Sequence, residues 1–131
     1  ISDDEAGFIA LHIHSGLSNE EVSDTLRTTQ IIDESMLIIE KSIGSKIKKE
    51  SLAYIRLMSH LYYMIVRMKT EEAVNLDLNE FVRLNYPNAG RIAEVVCRNM
   101  SLKMQKSIYP EELGFLAIHI QRMIVSAEEG K

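Results

Sequence analysis

Histidine is the side chain whose ordinary pKa lets it act as a neutral nucleophile or a cation near neutral pH. This chain of 131 residues has four histidines. Three of them, His12, His60 and His119, lie in apolar stretches of helical period. On a helix, Arg56, His60 and Arg67 fall on one stripe, and Glu112, His119 and Arg122 fall on another. An imidazole with a guanidinium on its own helical face suits the attachment of an anionic group, because the arginine pairs with the charge that arrives. Phosphorylation is the fitting chemistry, since a phosphorylated side chain carries roughly −1.5 to −2 in charge. The candidate phosphorylation sites on these two stripes are therefore His60 and His119, with Arg56, Arg67 and Arg122 as candidate partners of the phosphate.

A lone helical histidine is more often a satisfied structural residue than a functional one. A repeat changes that balance. Glu5-Ala6-Gly7-Phe8-Ile9-Ala10-Leu11-His12-Ile13 returns 107 positions later as Glu112-Leu113-Gly114-Phe115-Leu116-Ala117-Ile118-His119-Ile120, with six of nine positions identical. Packing explains why the apolar positions recur, but it gives no reason to keep the histidine in register. His14 has no counterpart in the second phrase and reads as structural. The spacing exceeds the roughly 20–50 residues of a solenoid repeat and matches a small domain. Residues 1–16 then read as the C-terminal helix of a preceding domain, 17–24 as a linker and 25–131 as a complete second copy. Because the chain starts in mid-phrase, it reads as a fragment of a longer protein.

Five helices are expected in the second copy. Apolar residues from Leu26 to Ile43 recur at helical spacing, with Gly44 as the stop. Ser18-Asn19-Glu20-Glu21 offers an earlier start for that helix. The next helix, about Ser51 to Met68, carries His60 and is apolar nearly all round, which predicts a central, largely buried element. Tyr62 and Tyr63 beside His60 are expected to be packing residues, with one hydroxyl reaching a polar partner. A short helix over Leu78 to Leu84 ends before Pro87, and Pro87 and Pro110 open two more, to about Lys106 and Val125. No alternating strand pattern occurs. The expected fold is all-α, a five-helix bundle preceded by an orphan N-terminal helix, with the helices of His60 and His119 adjacent.

Composition excludes several classes. Six Gly, two Pro and no Trp favour helix, and a net charge of −4 argues against nucleic-acid binding by this segment. The single Cys97 offers neither a disulfide framework nor a cysteine metal site and suits a reducing, cytoplasmic setting. No run approaches the roughly 18–20 apolar residues of a membrane span. His60 and His119 lack further ligands at metal spacing, so no metal is expected. Lys46, Lys48 and Lys49 read as a solvated loop, and the seven methionines as core fillers. No phosphate loop, nucleophile elbow or carboxylate pair is present, so no enzyme or cofactor is expected.

The segments Phe8-Ile9-Ala10-Leu11-His12-Ile13, Arg56-Leu57-Met58-Ser59-His60-Leu61 with Arg67, Tyr86-Pro87, and Glu112 through Arg122 resemble the PTS regulation domain of bacterial antiterminators and activators of sugar-utilisation operons. The resemblance implies that His60 and His119 are the two phosphorylation sites of the second copy and that His12 is the second site of the first. It implies as donors the histidine phosphocarrier protein and sugar-specific enzyme II components. It also implies a homodimer whose arrangement shifts with phosphorylation, and RNA binding only through a separate domain. The end of the sequence soon after the second copy favours an antiterminator over a larger activator. The alternative is a helical dimerisation module whose histidines are structural.

Overall fold

A computed structural model describes residues 19–129, with side chains placed from 21 to 128. The chain divides after Gln30 into two units, of which Ile31–Lys131 carries the bundle. The orphan helix expected over 1–16, with His12, lies outside the described residues. Five helices follow in order: α1 Asn19–Ile43, α2 Leu52–Thr70, α3 Asn79–Asn85, α4 Pro87–Met104 and α5 Glu111–Glu129. No strand occurs among the described residues.

Local chemistry explains the helix ends. Gly44 adopts φ 80°, and its N–H and that of Ser45 both donate to the Glu40 carbonyl, closing α1. Ser51 caps α2, its Oγ accepting from the Tyr54 N–H at 3.2 Å. Pro87 occupies the first turn of α4, where its missing N–H costs nothing. Residues 19–24 are helical, the earlier start that Ser18-Asn19-Glu20-Glu21 offered, in place of a linker. Polarity does not break a helix when side chains satisfy themselves locally. The Thr25 and Thr29 hydroxyls donate to the carbonyls of Glu21 and Thr25, each four residues back.

The core of the Ile31–Lys131 unit draws Ile39 from α1, Leu57, Leu61 and Met64 from α2, Val96 and Met100 from α4, and Leu116 and Ile120 from α5, all fully buried. Met64, Met68 and Met100 are core fillers as expected. Helix α5 is the hub, packing against α2, α3 and α4. The contact of α3 with α5 is close. A Cβ built on Gly114 would lie 2.7 Å from Asn79 Oδ1 and 3.0 Å from the Leu78 carbonyl carbon. Asn79 then ties the two elements by donating from Nδ2 to the Pro110 carbonyl at 2.9 Å. The backbone of Leu78 and Asn79 thus leaves too little room for a side chain at Gly114.

Helix α2 is less buried than its composition predicts. One side supplies Leu57, Leu61, Met64, Ile65 and Met68 to the core, but Leu52, Ile55, Tyr62 and Tyr63 are exposed. Tyr62 and Tyr63, both exposed, pack on each other edge to face, with centroids 5.3 Å apart. Lys46, Lys48 and Lys49 are exposed as expected, while Ile47 between them is buried and donates its N–H to Glu40 Oε2 at 3.0 Å.

Candidate functional site

His60 stands in the middle of α2 and His119 in the middle of α5, and the two imidazoles meet. Their ring centroids lie 4.6 Å apart with planes tilted by 38°. Seven residues further along α2 is Arg67, and seven residues back along α5 is Glu112. They also meet: Arg67 Nε and Nη2 donate to Glu112 Oε2 and Oε1 at 2.6 and 2.7 Å. The helices are therefore antiparallel and joined by two cross-links in register, one of stacked imidazoles and one of a guanidinium gripping a carboxylate. Seven residues on a helix span about 10.5 Å, so the cross-links are two turns apart.

The Arg67–Glu112 pair is a bidentate, charge-assisted contact. Glu112 is only 1% exposed. An ionised carboxylate that deep requires a partner, and its place in the first turn of α5 adds the favourable end of the helix dipole. Arg67, expected as a free partner for phosphate, is thus already engaged. The sequence carried a sign of this in Glu112, which is identical in both copies of the repeated phrase.

The histidine cross-link is chemically unusual. His60 Nε2 and His119 Nδ1 are buried and have no hydrogen-bond partner among the described residues, whereas buried polar atoms are nearly always paired. Burial, then the neighbouring His119 and then Arg67 push the His60 pKa down to about 3. His119 is also lowered, first by burial and then by Arg122 and Arg56. Both rings are therefore neutral at neutral pH, with a lone pair on one nitrogen. Arg56 and Arg122 are exposed and form no ion pair among the described residues. Of the residues singled out in the sequence, the structure brings together His60, His119, Arg67 and, electrostatically, Arg56 and Arg122. His12 lies outside the described residues. No group of three potential metal ligands occurs among them, and no helix among them is long and apolar enough to cross a membrane.

The lowered pKa values set a pH dependence. The unfolded chain binds a proton on each histidine near the ordinary value, while the folded chain resists it. The stability of the unit is thus complete above about pH 6.5 and falls as pH drops toward 3, by up to about 1.4 kcal/mol per pH unit for His60. Urea unfolding at about pH 7.5 and about pH 5.5 should show this loss, and His60→Gln should flatten the slope. An unchanged slope would mean that His60 is solvated.

Two neutral histidines held between antiparallel helices, with a buried guanidinium–carboxylate pair two turns away, mark the centre of this all-helical domain. Residues 33–123 match the model of the PRD domain, and the chain belongs to that family. It is 31% identical over 125 residues to the PtsGHI operon antiterminator of Bacillus subtilis (strain 168), covering 94% of this chain and 44% of that protein. It is 31% identical over 129 residues to the GlcA/glcB genes antiterminator of Staphylococcus carnosus (strain TM300), covering 97% and 45%. It is 28% identical over 132 residues to the Beta-glucoside operon antiterminator of Dickeya chrysanthemi, covering 98% and 47%. The chain spans less than half the length of these curated relatives, which are regulators of transcription by name.

Proposed function

We propose that this chain is the phosphorylation-controlled part of a transcriptional antiterminator for sugar utilisation, with His60 and His119 as phosphoryl acceptors and His12 as a third acceptor in a preceding copy. Residues 1–16 and 25–131 are read as the end of the first copy and the whole of the second. The close pair of neutral imidazoles, each with one buried nitrogen lacking a hydrogen-bond partner among the described residues, near the exposed Arg56 and Arg122, carries this reading. A purely structural histidine would have its nitrogens hydrogen-bonded.

The donors are the histidine phosphocarrier protein and sugar-specific enzyme II components. In a transfer from a phosphohistidine donor the lone pair of the neutral acceptor nitrogen attacks phosphorus, and the donor N–P bond breaks as the new one forms. The acceptor ring gives up its N–H proton as the donor ring takes one up. Arg56 and Arg122 stand ready to pair with the phosphate dianion on His119. RNA contact belongs to a separate domain of the longer protein. The functional unit is a homodimer, and the exposed Leu52, Ile55, Tyr62 and Tyr63 near His60 supply apolar surface for a subunit contact that new charge would disturb.

Incubation with phosphoenolpyruvate, enzyme I, the phosphocarrier protein and an enzyme II preparation should add acid-labile, base-stable phosphate to the chain. Label should fall with His60→Ala and with His119→Ala, and vanish when His12 is replaced as well. Sedimentation should shift on labelling. Absence of label, or label that survives loss of all three histidines, would favour the plain dimerisation module.

A further inference from the structure

We propose that Arg67 is a shared guanidinium: phosphate on His60 takes it from Glu112, and the loss of that pair releases the first turn of α5. This inference rests on the phosphorylation reading above and adds the residue pair that turns the modification into movement.

Both cross-links join the same two helices, so Arg67 lies on the helix and on the face of His60. Side chains on a helix lean toward its N-terminus, which for Arg67 is toward His60. Arg67 is also one of the groups whose charge bears on the His60 ring. Two of its five N–H donors are held by Glu112 at 2.6 and 2.7 Å. A phosphate arriving on His60 is a second anion competing for the same fork, and it brings roughly twice the charge of a carboxylate. Glu112 has no ready substitute, because it is 1% exposed and Arg67 is its one ion-pair partner among the described residues. Once the guanidinium turns to phosphate, the carboxylate must move toward water. Glu112 lies one residue from the helix start at Glu111, so that movement unwinds or lifts the N-terminal turn of α5. His119 differs in that Arg122 and Arg56 bear on it and neither is committed to a carboxylate in the described ion pairs. Phosphate there can be neutralised without breaking a buried contact. His60 is thus the acceptor that signals through α5, and Glu112 is a positioning residue that sets how strongly.

The test uses the chain with His12→Ala and His119→Ala, so that label falls on His60, and follows amide hydrogen exchange of residues 112–116 before and after phosphorylation by the donor system above. Exchange there should quicken by about tenfold to a hundredfold, the range for loss of a charge-assisted hydrogen bond. Adding Glu112→Gln, which keeps shape and removes the competing charge, should abolish most of that change and lengthen the lifetime of the phosphohistidine. Label on His60 with unaltered exchange would overturn the proposal and leave the phosphorylation reading standing. Absence of label from every histidine of the unsubstituted chain would overturn both. Should Glu112→Gln fail to fold, Arg67→Lys provides the second variant. It retains charge but not the fork, so the expected result is a smaller exchange change on phosphorylation, and an unchanged one would count against the exchange of partners.

Discussion

Arg67→Ala should destabilise the bundle by about 3 kcal/mol, the lower end of the roughly 3–5 kcal/mol cost of leaving one member of a buried ion pair alone. The lower end applies because the Arg67 side chain is 24% exposed, while that of Glu112 is 2% exposed. The cost arises mainly from the stranded carboxylate. The double variant Arg67→Ala with Glu112→Gln should therefore recover much of the loss, and Glu112→Gln alone should cost less than Arg67→Ala. Urea unfolding of the four proteins forms the cycle that measures this. Equal and additive losses would show that the pair is ordinary surface decoration.

Gly114→Ala sets two effects of opposite sign against each other. Within an isolated helix, alanine in place of glycine is worth about 1 kcal/mol of added stability. Here the new methyl would press on the backbone of Leu78 and Asn79 at 3.0 and 3.1 Å and on the Asn79 side chain at 2.7 Å. Backbone cannot swing aside as a flexible side chain can. Overpacking of this kind costs typically 1–3 kcal/mol, so the net effect should be a loss, with Gly114→Val at or beyond the top of that range. A calorimetric midpoint that falls for alanine and falls further for valine is the expected result. A rise would show that α3 gives way freely.

The two sites differ in how far the sequence revealed them. Helix ends announced by backbone chemistry were readable, as at Gly44, Ser51 and Pro87, and so was the adjacency of the two histidine helices, because both are rich in apolar residues that must be covered. The start of α1 was only half readable, since the polar stretch before Leu26 fits a linker as well as the earlier start at Ser18-Asn19-Glu20-Glu21, and the helix in fact begins at Asn19. Spacing along one chain segment also says nothing of partners across helices. Arg67 and Glu112 could each be put on the stripe of a histidine, but only the antiparallel register of α2 and α5 sets one against the other. Apolar content overstated the burial of α2 for a similar reason. Periodicity could not show that Leu52, Ile55, Tyr62 and Tyr63 face away from the core supplied by Leu57 and Leu61.

The two cross-links between α2 and α5 have a mechanical meaning. Rods fastened at a single point can still pivot about it, whereas a second fastening about 10.5 Å along removes that rotation and most sliding. One fastening here is a salt bridge with directional bonds, and the other is a pair of flat rings that can turn and slip over each other. The directional hold on the pair of helices is thus strongest at the Arg67–Glu112 end, while at the histidine end it rests on the close packing of Leu57, Leu61, Leu116 and Ile120.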